Sequence, residues 1–214
     1  MKIKSTDIIV YSLNPDIYKH RSYYIDELKN TKFFKDVKRV AFNYKLNDRV
    51  RTIITAHIYA LITAVDKNDF PLLLLEDDAR LIDGTFPANI EVPDNCDLLY
   101  VGGSTYLCGQ IPNLYITEFN KDYYRVYNML SAHAILISNK KGARIIIDAY
   151  VDAIFRGRFN DVTLGDISKN HVFLTPKDGM YFYQDDKNVQ NITNFKWEKI
   201  KNKWLKNENS LYIS

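Results

Sequence analysis

The sequence predicts an α/β fold in which a mixed, mostly parallel central sheet is flanked by helices. Two short apolar runs, within residues 7–13 and 71–75, have the length of strands that are buried on both faces. Between them, segments of helical periodicity alternate with segments of strand character, as in a sheet built from crossover connections. The chain has 214 residues, of which 46% are hydrophobic and 26% charged, so it can bury one substantial core.

Each element of the first half has a local signal. Asn14-Pro15 favours a turn after the first strand, and residues 18–28 have helical character. A second strand is expected at residues 37–42. Asp48 is expected to cap a helix over residues 49–65. The apolar residues of that helix recur at the spacing of one face: Ile54, Ile58, Leu61 and Val65.

The second half combines more varied elements. Residues 84–93 contain turn-forming glycine and proline and are expected to form a loop, and residues 97–101 are expected to form a strand. Residues 104–127 have no clean period, and a hairpin or a flap fits them equally well. The remaining elements are expected as a strand at 132–137, helices at 143–155 and 161–168, and strands at 172–174 and 180–183.

We predict a single domain over residues 1–190, followed by a basic tail over residues 191–214. Three apolar residues of the tail share one helix face among lysines: Trp197, Ile200 and Trp204. This face is expected to pack on the domain, with a membrane-surface helix or a lead into a further domain as alternatives. The first residues have the features of neither a signal peptide nor a membrane span, so a cytoplasmic protein is expected.

Composition narrows the class of partner. The net charge is only +3, and Lys and Arg are scattered, so no nucleic-acid partner is expected. No Walker or GxGxxG sequence is present, which disfavours P-loop and dinucleotide-binding enzymes. The 16 tyrosines offer stacking faces and hydroxyls that suit sugars and bases, although tyrosine also serves in ordinary packing.

Three acids, Glu76, Asp77 and Asp78, directly follow the leucine strand at residues 72–75. In an open α/β sheet, ligands bind at the carboxyl edge of the strands. Adjacent carboxylates repel one another, so a cation or strong donors should lie nearby, and oxygen ligands suit Mn²⁺ or Mg²⁺. The alternative is an acidic first turn of a helix, which would complement the helix dipole.

Small and polar residues follow other strands and should share this edge. They are Ser12, Asn14, Asn43, Gly102 and Gly103. Arg51, in the first turn of its helix, is a candidate phosphate contact, as are Arg49 and Arg21. Together with a divalent ion, this set would suit a nucleoside diphosphate. The alternatives are turn chemistry for the small residues and solvated surface for the arginines.

Asp161 and Asp166 are candidates for a general base, because sugar transfer to a hydroxyl with inversion requires a carboxylate that accepts the proton. The alternatives are a helix cap for Asp161 and a surface acid for Asp166. His57 and His133 fall among apolar neighbours, where a histidine is either a satisfied core residue or a ligand.

These residues resemble a glycosyltransferase of the GT-A type, in which Glu76-Asp77-Asp78 would stand at the DxD motif. The chain is also similar to the lipopolysaccharide and procollagen galactosyltransferase family, whose LSH, LEDD, DLLYLG and HAYLIS..GA segments occur here in the same order. The matching segments are Thr55-Ala56-His57, Leu75-Glu76-Asp77-Asp78, residues 97–102, and residues 132–138 with Gly142-Ala143. The chain departs from the family at Thr55, where the family has serine, and the match around Asp161 is loose.

The resemblance implies a GT-A-like enzyme that moves a hexose from a UDP-sugar to an oligosaccharide or glycoprotein acceptor with Mn²⁺ or Mg²⁺. Asp78 and Glu76 would be metal ligands, Glu76 or Asp77 would contact the ribose, and His57 would belong to the donor site. Composition is also similar to that of chlorella-virus capsid glycosyltransferases, which implies host cytoplasm and capsid glycans. The alternatives are a sugar nucleotidyltransferase, which normally has a glycine-rich loop after its first strand, and a non-catalytic carbohydrate-binding module.

Overall fold

Strands and helices alternate along the chain in the computed structural model, which describes residues 1–16, 23–43, 45–102, 115–129 and 133–184. The strands are β1 (Lys2–Lys4), β2 (Ile9–Pro15), β3 (Asp36–Phe42), β4 (Leu72–Leu75), β5 (Ala79–Leu81), β6 (Asn89–Glu91), β7 (Leu98–Gly102), β8 (Tyr115–Glu118), β9 (Tyr123–Tyr127), β10 (Ala134–Ile137), β11 (Phe173–Pro176) and β12 (Phe182–Gln184). The helices are α1 (Tyr23–Thr31), α2 (Arg49–Lys67), α3 (Lys140–Arg156) and α4 (Asn160–Ile167).

One large mixed sheet organises these elements, in the order β3-β2-β4-β10-β7-β11-β9-β8, with β12 joined to β5 and β7. β2 is parallel to β3 and β4, and β11 is parallel to β7. β10 lies between β4 and β7 and is antiparallel to both. The predicted α/β class with a mixed sheet is confirmed. The expectation of a mostly parallel sheet is wrong, because five strand pairings among the described residues of this sheet are antiparallel and four are parallel. The carboxyl ends of β2, β3, β4 and β7 therefore share one edge with the amino end of β10.

The leucine strand lies in the middle of the core because both of its faces are covered. Leu72 and Leu74 pack with side chains of α2 and α3, whereas Leu73 and Leu75 pack with side chains of α1 and β6. Each of the four leucines is at most 1% exposed. Burying one leucine contributes roughly 1.5–3 kcal/mol, so this run is a major source of stability and holds the acids that follow it in place.

Two helix starts differ from the expectations, the first in its cap and the second in its position. α2 begins at Arg49 as expected, but the Asp48 side chain does not cap it and pairs instead with Arg51 at 3.6 Å. α3 begins at Lys140, earlier than expected, because Asn139 caps it. Its Oδ1 accepts a hydrogen bond from the Gly142 N–H at 3.1 Å.

The expectation of a loop over residues 84–93 is wrong in part. Asn89–Glu91 forms β6, which pairs antiparallel with β1 at the start of the chain. Its register joins Ile90 to Ile3, and both side chains are buried. Within the described part of residues 104–127, β8 and β9 form the antiparallel hairpin that the sequence allowed.

Some expectations fall on residues outside the described ranges. These are the start of the first helix with Arg21, residue Gly103, and the tail over residues 191–214. Among the helices of the described residues, none combines the length and the apolar character needed to cross a bilayer.

Candidate functional site

The acids after β4 form a tight turn at the carboxyl edge of the sheet. The Ala79 N–H donates to the Glu76 carbonyl at 3.1 Å, and Arg80 Nη1 donates to the Asp77 carbonyl at 2.8 Å. Ala79 then begins β5, so the alternative of an acidic first turn of a helix is wrong. These bonds hold three mutually repelling carboxylates next to one another.

Glu76 points into a largely buried polar environment. Asn160 Nδ2 donates to Glu76 Oε1 at 3.2 Å, and His57 Nε2 lies 3.8 Å from the same oxygen. Burial and, next, the negative charge of Asp78 together raise the pKa of Glu76 to about 8, whereas the Asn160 hydrogen bond opposes the shift. Without a cation, Glu76 therefore holds a proton at neutral pH.

His57 is a buried, neutral histidine next to Glu76. Its Nδ1 lies 2.9 Å from the Ile53 carbonyl, so it carries the proton and donates, and Nε2 faces Glu76 as an acceptor. The ring also makes an edge contact with Tyr150, with centroids 5.6 Å apart. Burial lowers the pKa of His57 to about 4. The structure thus places His57 against the carboxyl group of Glu76, inside the core.

His133 occupies the amino end of β10, between the acidic turn and β7. Its carbonyl accepts a hydrogen bond from the Glu76 N–H at 2.9 Å. Burial lowers the pKa of its ring to about 4, although the negative charge of Asp78 opposes the shift. Because β10 is antiparallel to both neighbours, its first residues lie at the same edge of the sheet as the carboxyl ends of β4 and β7.

Acid should destabilise the protein through these two histidines. Each pKa is about 4 in the folded chain and near 6.5 when unfolded, so the unfolded state binds more protons between these values. We expect stability to be lost as pH falls from 6.5 to 4, by roughly 3 kcal/mol per histidine. Urea unfolding of His57→Phe should show a smaller loss over this interval and a wild-type slope at pH 7–8; equal losses would contradict the assignment.

Gly102 ends β7 where three elements converge. A Cβ at this position would lie 2.8 Å from Ala134 Cβ, His133 Nε2 and Phe182 Cβ. The glycine is therefore needed for close packing of β7 against β10 and β12. This packing requirement for glycine holds whether or not Gly102 contacts a ligand.

Replacing Gly102 with alanine should therefore destabilise the chain by roughly 1–3 kcal/mol, because the added methyl group has no space. Thermal unfolding should show a clear loss in this variant. Gly84→Ala is not a suitable control because of its positive φ of 62°. Ala88→Gly, at an exposed site, should change stability by much less.

Asp161 lies on the Glu76 side of α4. Its negative charge raises the pKa of Glu76, and after burial it is the next cause of the raised pKa of the Tyr100 hydroxyl. Its own Oδ1 accepts from the Val162 N–H at 2.7 Å. The structure thus brings one of the two base candidates to the acidic turn.

Asp166 is placed differently, near the end of α4. Its carboxylate forms an ion pair with Arg158, and about half of its side chain is exposed.

Gln184, in β12, also contacts the acidic turn. Its Nε2 donates a hydrogen bond to Asp78 Oδ2 at 3.2 Å.

A pocket of about 450 Å³ opens between the end of β3 and the first half of α2. Asn43 and Arg51, both predicted donor-binding residues, line it. The other polar and aromatic lining residues are Phe42, Lys45, Asp48, Thr52, Thr55 and Tyr59. The pocket therefore offers an amide, hydroxyls, aromatic rings and the positive charges of Lys45 and Arg51, one of which Asp48 offsets through its ion pair with Arg51.

Ser12 and Asn14, the predicted donor residues of β2, are buried beside the acidic turn. Ser12 pairs with Leu75 in the sheet, so Asn14 lies further along β2 toward the edge. Asn14 Oδ1 accepts from Arg39 Nε at 3.0 Å. Among the described residues, Asn14 Nδ2 has no hydrogen-bond partner although it is buried. A buried amide donor without a partner is costly, and a ligand acceptor at this edge would satisfy it.

Sequence reasoning missed three residues of this site. Asn160 and Tyr150 approach Glu76 from α4 and α3, and Tyr100 approaches Asp161 from β7. Tyr100 lies two residues before Gly102 in a predicted strand, so alternation would have placed both on one face. Asn160 has no local signal beyond its position beside Asp161.

The donor set of the acidic turn suits a hard divalent cation. Its oxygens come from Glu76 and Asp78. The negative charge of Asp78 contributes to the raised pKa of Glu76, and a bound cation would relieve this repulsion. Within the described ranges, no three acidic, histidine or cysteine side chains converge as in a preformed metal centre.

Comparison with known proteins adds no family assignment. No protein-family model matches the chain. A search of curated proteins also found no match.

Proposed function

We propose that this chain is a metal-dependent glycosyltransferase of the GT-A type, which moves a hexose from a UDP-sugar to a glycan acceptor. The observation that carries the proposal is the acidic turn after β4, where Glu76 and Asp78 repel each other beside the base candidate Asp161. The pocket at the end of β3 supports it, because its lining suits a nucleoside diphosphate.

The nucleotide would lie across the sheet edge. Arg51 and Lys45 would face the phosphates, Asn43 would accept and donate hydrogen bonds, and the Tyr59 ring would offer a stacking face. Asn14, whose amide donor is buried beside the turn, would bind an acceptor atom of the donor substrate.

Asp78 and Glu76 would hold Mn²⁺ or Mg²⁺. Such an ion, when bound, neutralises the charge that develops on the leaving diphosphate. Gln184 orients Asp78, and Asn160 orients Glu76, through the hydrogen bonds described above. Neutral His57 does not compete with the ion for the carboxylate as a cation would.

Asp161 is the residue that we assign as general base for an inverting reaction. It would accept the proton of the acceptor hydroxyl as that oxygen attacks the sugar. Asp166 is the weaker candidate, because Arg158 already neutralises its carboxylate.

Thermal unfolding with UDP, GDP and CDP, each with and without MnCl₂, tests this function, because a ligand of the folded state raises the midpoint. A shift with UDP that requires MnCl₂ and is lost in Asp78→Ala is expected. UTP with MnCl₂ is tested in addition. A shift with UTP, together with release of pyrophosphate when a sugar phosphate is added as the second substrate, would favour a sugar nucleotidyltransferase. No shift with any nucleotide would contradict the proposal and leave the non-catalytic carbohydrate-binding module.

Arg51→Gln should weaken UDP binding about tenfold, because it removes one charge-assisted phosphate contact. Titration calorimetry with UDP and MnCl₂ measures this. Arg49→Gln is the matched control, since Arg49 is exposed in the same helix turn but does not line the pocket. Equal affinities in both variants would remove Arg51 from the donor site.

A further inference from the structure

A second, smaller pocket of about 220 Å³ lies between α1 and the β5–β12 strand pair. It shares no lining residue with the pocket at the end of β3. Its polar and aromatic lining residues are Tyr24, Glu27, Thr31, Arg80 and Tyr183. None of them belongs to the predicted donor or metal site.

The wall of this pocket is built around Arg80, which is only 7% exposed. Arg80 Nη1 donates to the Asp77 carbonyl at 2.8 Å and to the Ala79 carbonyl at 2.9 Å. Its guanidinium group lies over the ring of Tyr24. A residue of the wall is thereby bonded to the backbone of the acidic turn.

β12 makes a second link between the pocket and the acidic turn. Tyr183 lines the pocket and pairs with Arg80 in the sheet. The next residue, Gln184, donates to Asp78 Oδ2 at 3.2 Å. An occupant of this pocket would therefore lie against Arg80, which is bonded to the acidic turn, and against Tyr183, the chain neighbour of the residue that contacts Asp78.

The size and chemistry of the pocket suit a neutral sugar ring. Its volume equals that of about seven liquid waters, which is too small for a nucleotide. The Tyr183 ring offers a flat face to the C–H side of a sugar, and the exposed carboxylate of Glu27 can accept hydrogen bonds from its hydroxyl groups. The Thr31 hydroxyl is already bonded to the backbone of Leu28 and Phe33, and the Arg80 guanidinium group covers the Tyr24 ring. The carboxylate of Glu27, in contrast, disfavours a phosphate.

We propose that this pocket binds one sugar unit of the acceptor glycan. Its role in holding the acceptor rests on the proposed function, whereas sugar binding itself does not. The pocket would keep the acceptor chain beside the acidic turn while the donor occupies the separate pocket at β3.

Saturation-transfer NMR with methyl β-D-glucopyranoside, methyl β-D-galactopyranoside and methyl α-D-mannopyranoside tests the proposal. At least one glycoside should bind, and UDP with MgCl₂, which is diamagnetic, should not displace it. Glu27→Gln should weaken binding about tenfold, because a hydrogen bond to a charged group is lost. Tyr183→Ala should weaken binding similarly, and Tyr183→Phe should restore it because the ring face remains.

Asp26→Asn is the matched control, because Asp26 is the preceding residue of α1, is exposed and does not line the pocket. Absence of binding at tens of millimolar, or binding that Glu27→Gln and Tyr183→Ala leave unchanged, would overturn the inference. The UDP and MnCl₂ thermal shift is measured in the same variants. If no glycoside binds but the wild type keeps this shift, the sugar pocket alone has failed. If the wild type shows no shift, the donor site has failed.

Discussion

Asp78→Asn is expected to abolish sugar transfer, lowering kcat roughly a thousandfold or more. Asparagine has the shape of aspartate and retains an oxygen for the hydrogen bond from Gln184, so the turn should keep its conformation. It loses the charge that would hold a divalent cation at this position. A loss of about 4 kcal/mol of transition-state stabilisation corresponds to this factor.

The measurement is turnover of UDP-sugars, together with the UDP and MnCl₂ thermal shift. Asp83→Asn is the matched control, because Asp83 is an exposed acid a few residues away with a positive φ of 53°, which asparagine tolerates. This control should keep full activity. Near-normal activity and an unchanged nucleotide shift in Asp78→Asn would remove Asp78 from the reaction.

Glu76→Gln is expected to stabilise the metal-free protein at pH 8 while abolishing activity. The pKa of Glu76 is about 8 in the folded chain, above its ordinary value of 4.5. The protonated form therefore contributes stability in full below pH 4.5, and this stability is lost as pH rises through about 8. Glutamine cannot ionise, so the variant should exceed the wild type by roughly 4 kcal/mol at pH 8.

Urea unfolding in EDTA at pH 5 and pH 8 measures this difference. The two proteins should be similar at pH 5 and diverge at pH 8, and MnCl₂ should narrow the gap by stabilising the ionised wild type. Glu91→Gln, at an exposed acid of β6, should follow the wild type at both values. A variant that is less stable than the wild type at pH 8 would contradict the raised pKa of the half-buried Glu76.

These two predictions depend on contacts that are far apart in the chain. The acidic triplet itself was evident, because four consecutive leucines can only be a buried segment and the acids follow them directly. Asn160 and Gln184 are different, since their contacts with Glu76 and Asp78 span 84 and 106 residues. No local period or motif carries information about such pairs.

The sequence by itself determined the alternation of strands and helices, the buried leucine strand and the position of the acids at its end. These features follow from local hydrophobic pattern and turn chemistry, which act over a few residues. Tertiary structure alone decided that β10 enters the sheet antiparallel and brings His133 to the acidic turn, and that β6 pairs with β1. It also decided that Glu76 is protonated, because that state depends on burial and on charges that only folding brings within reach.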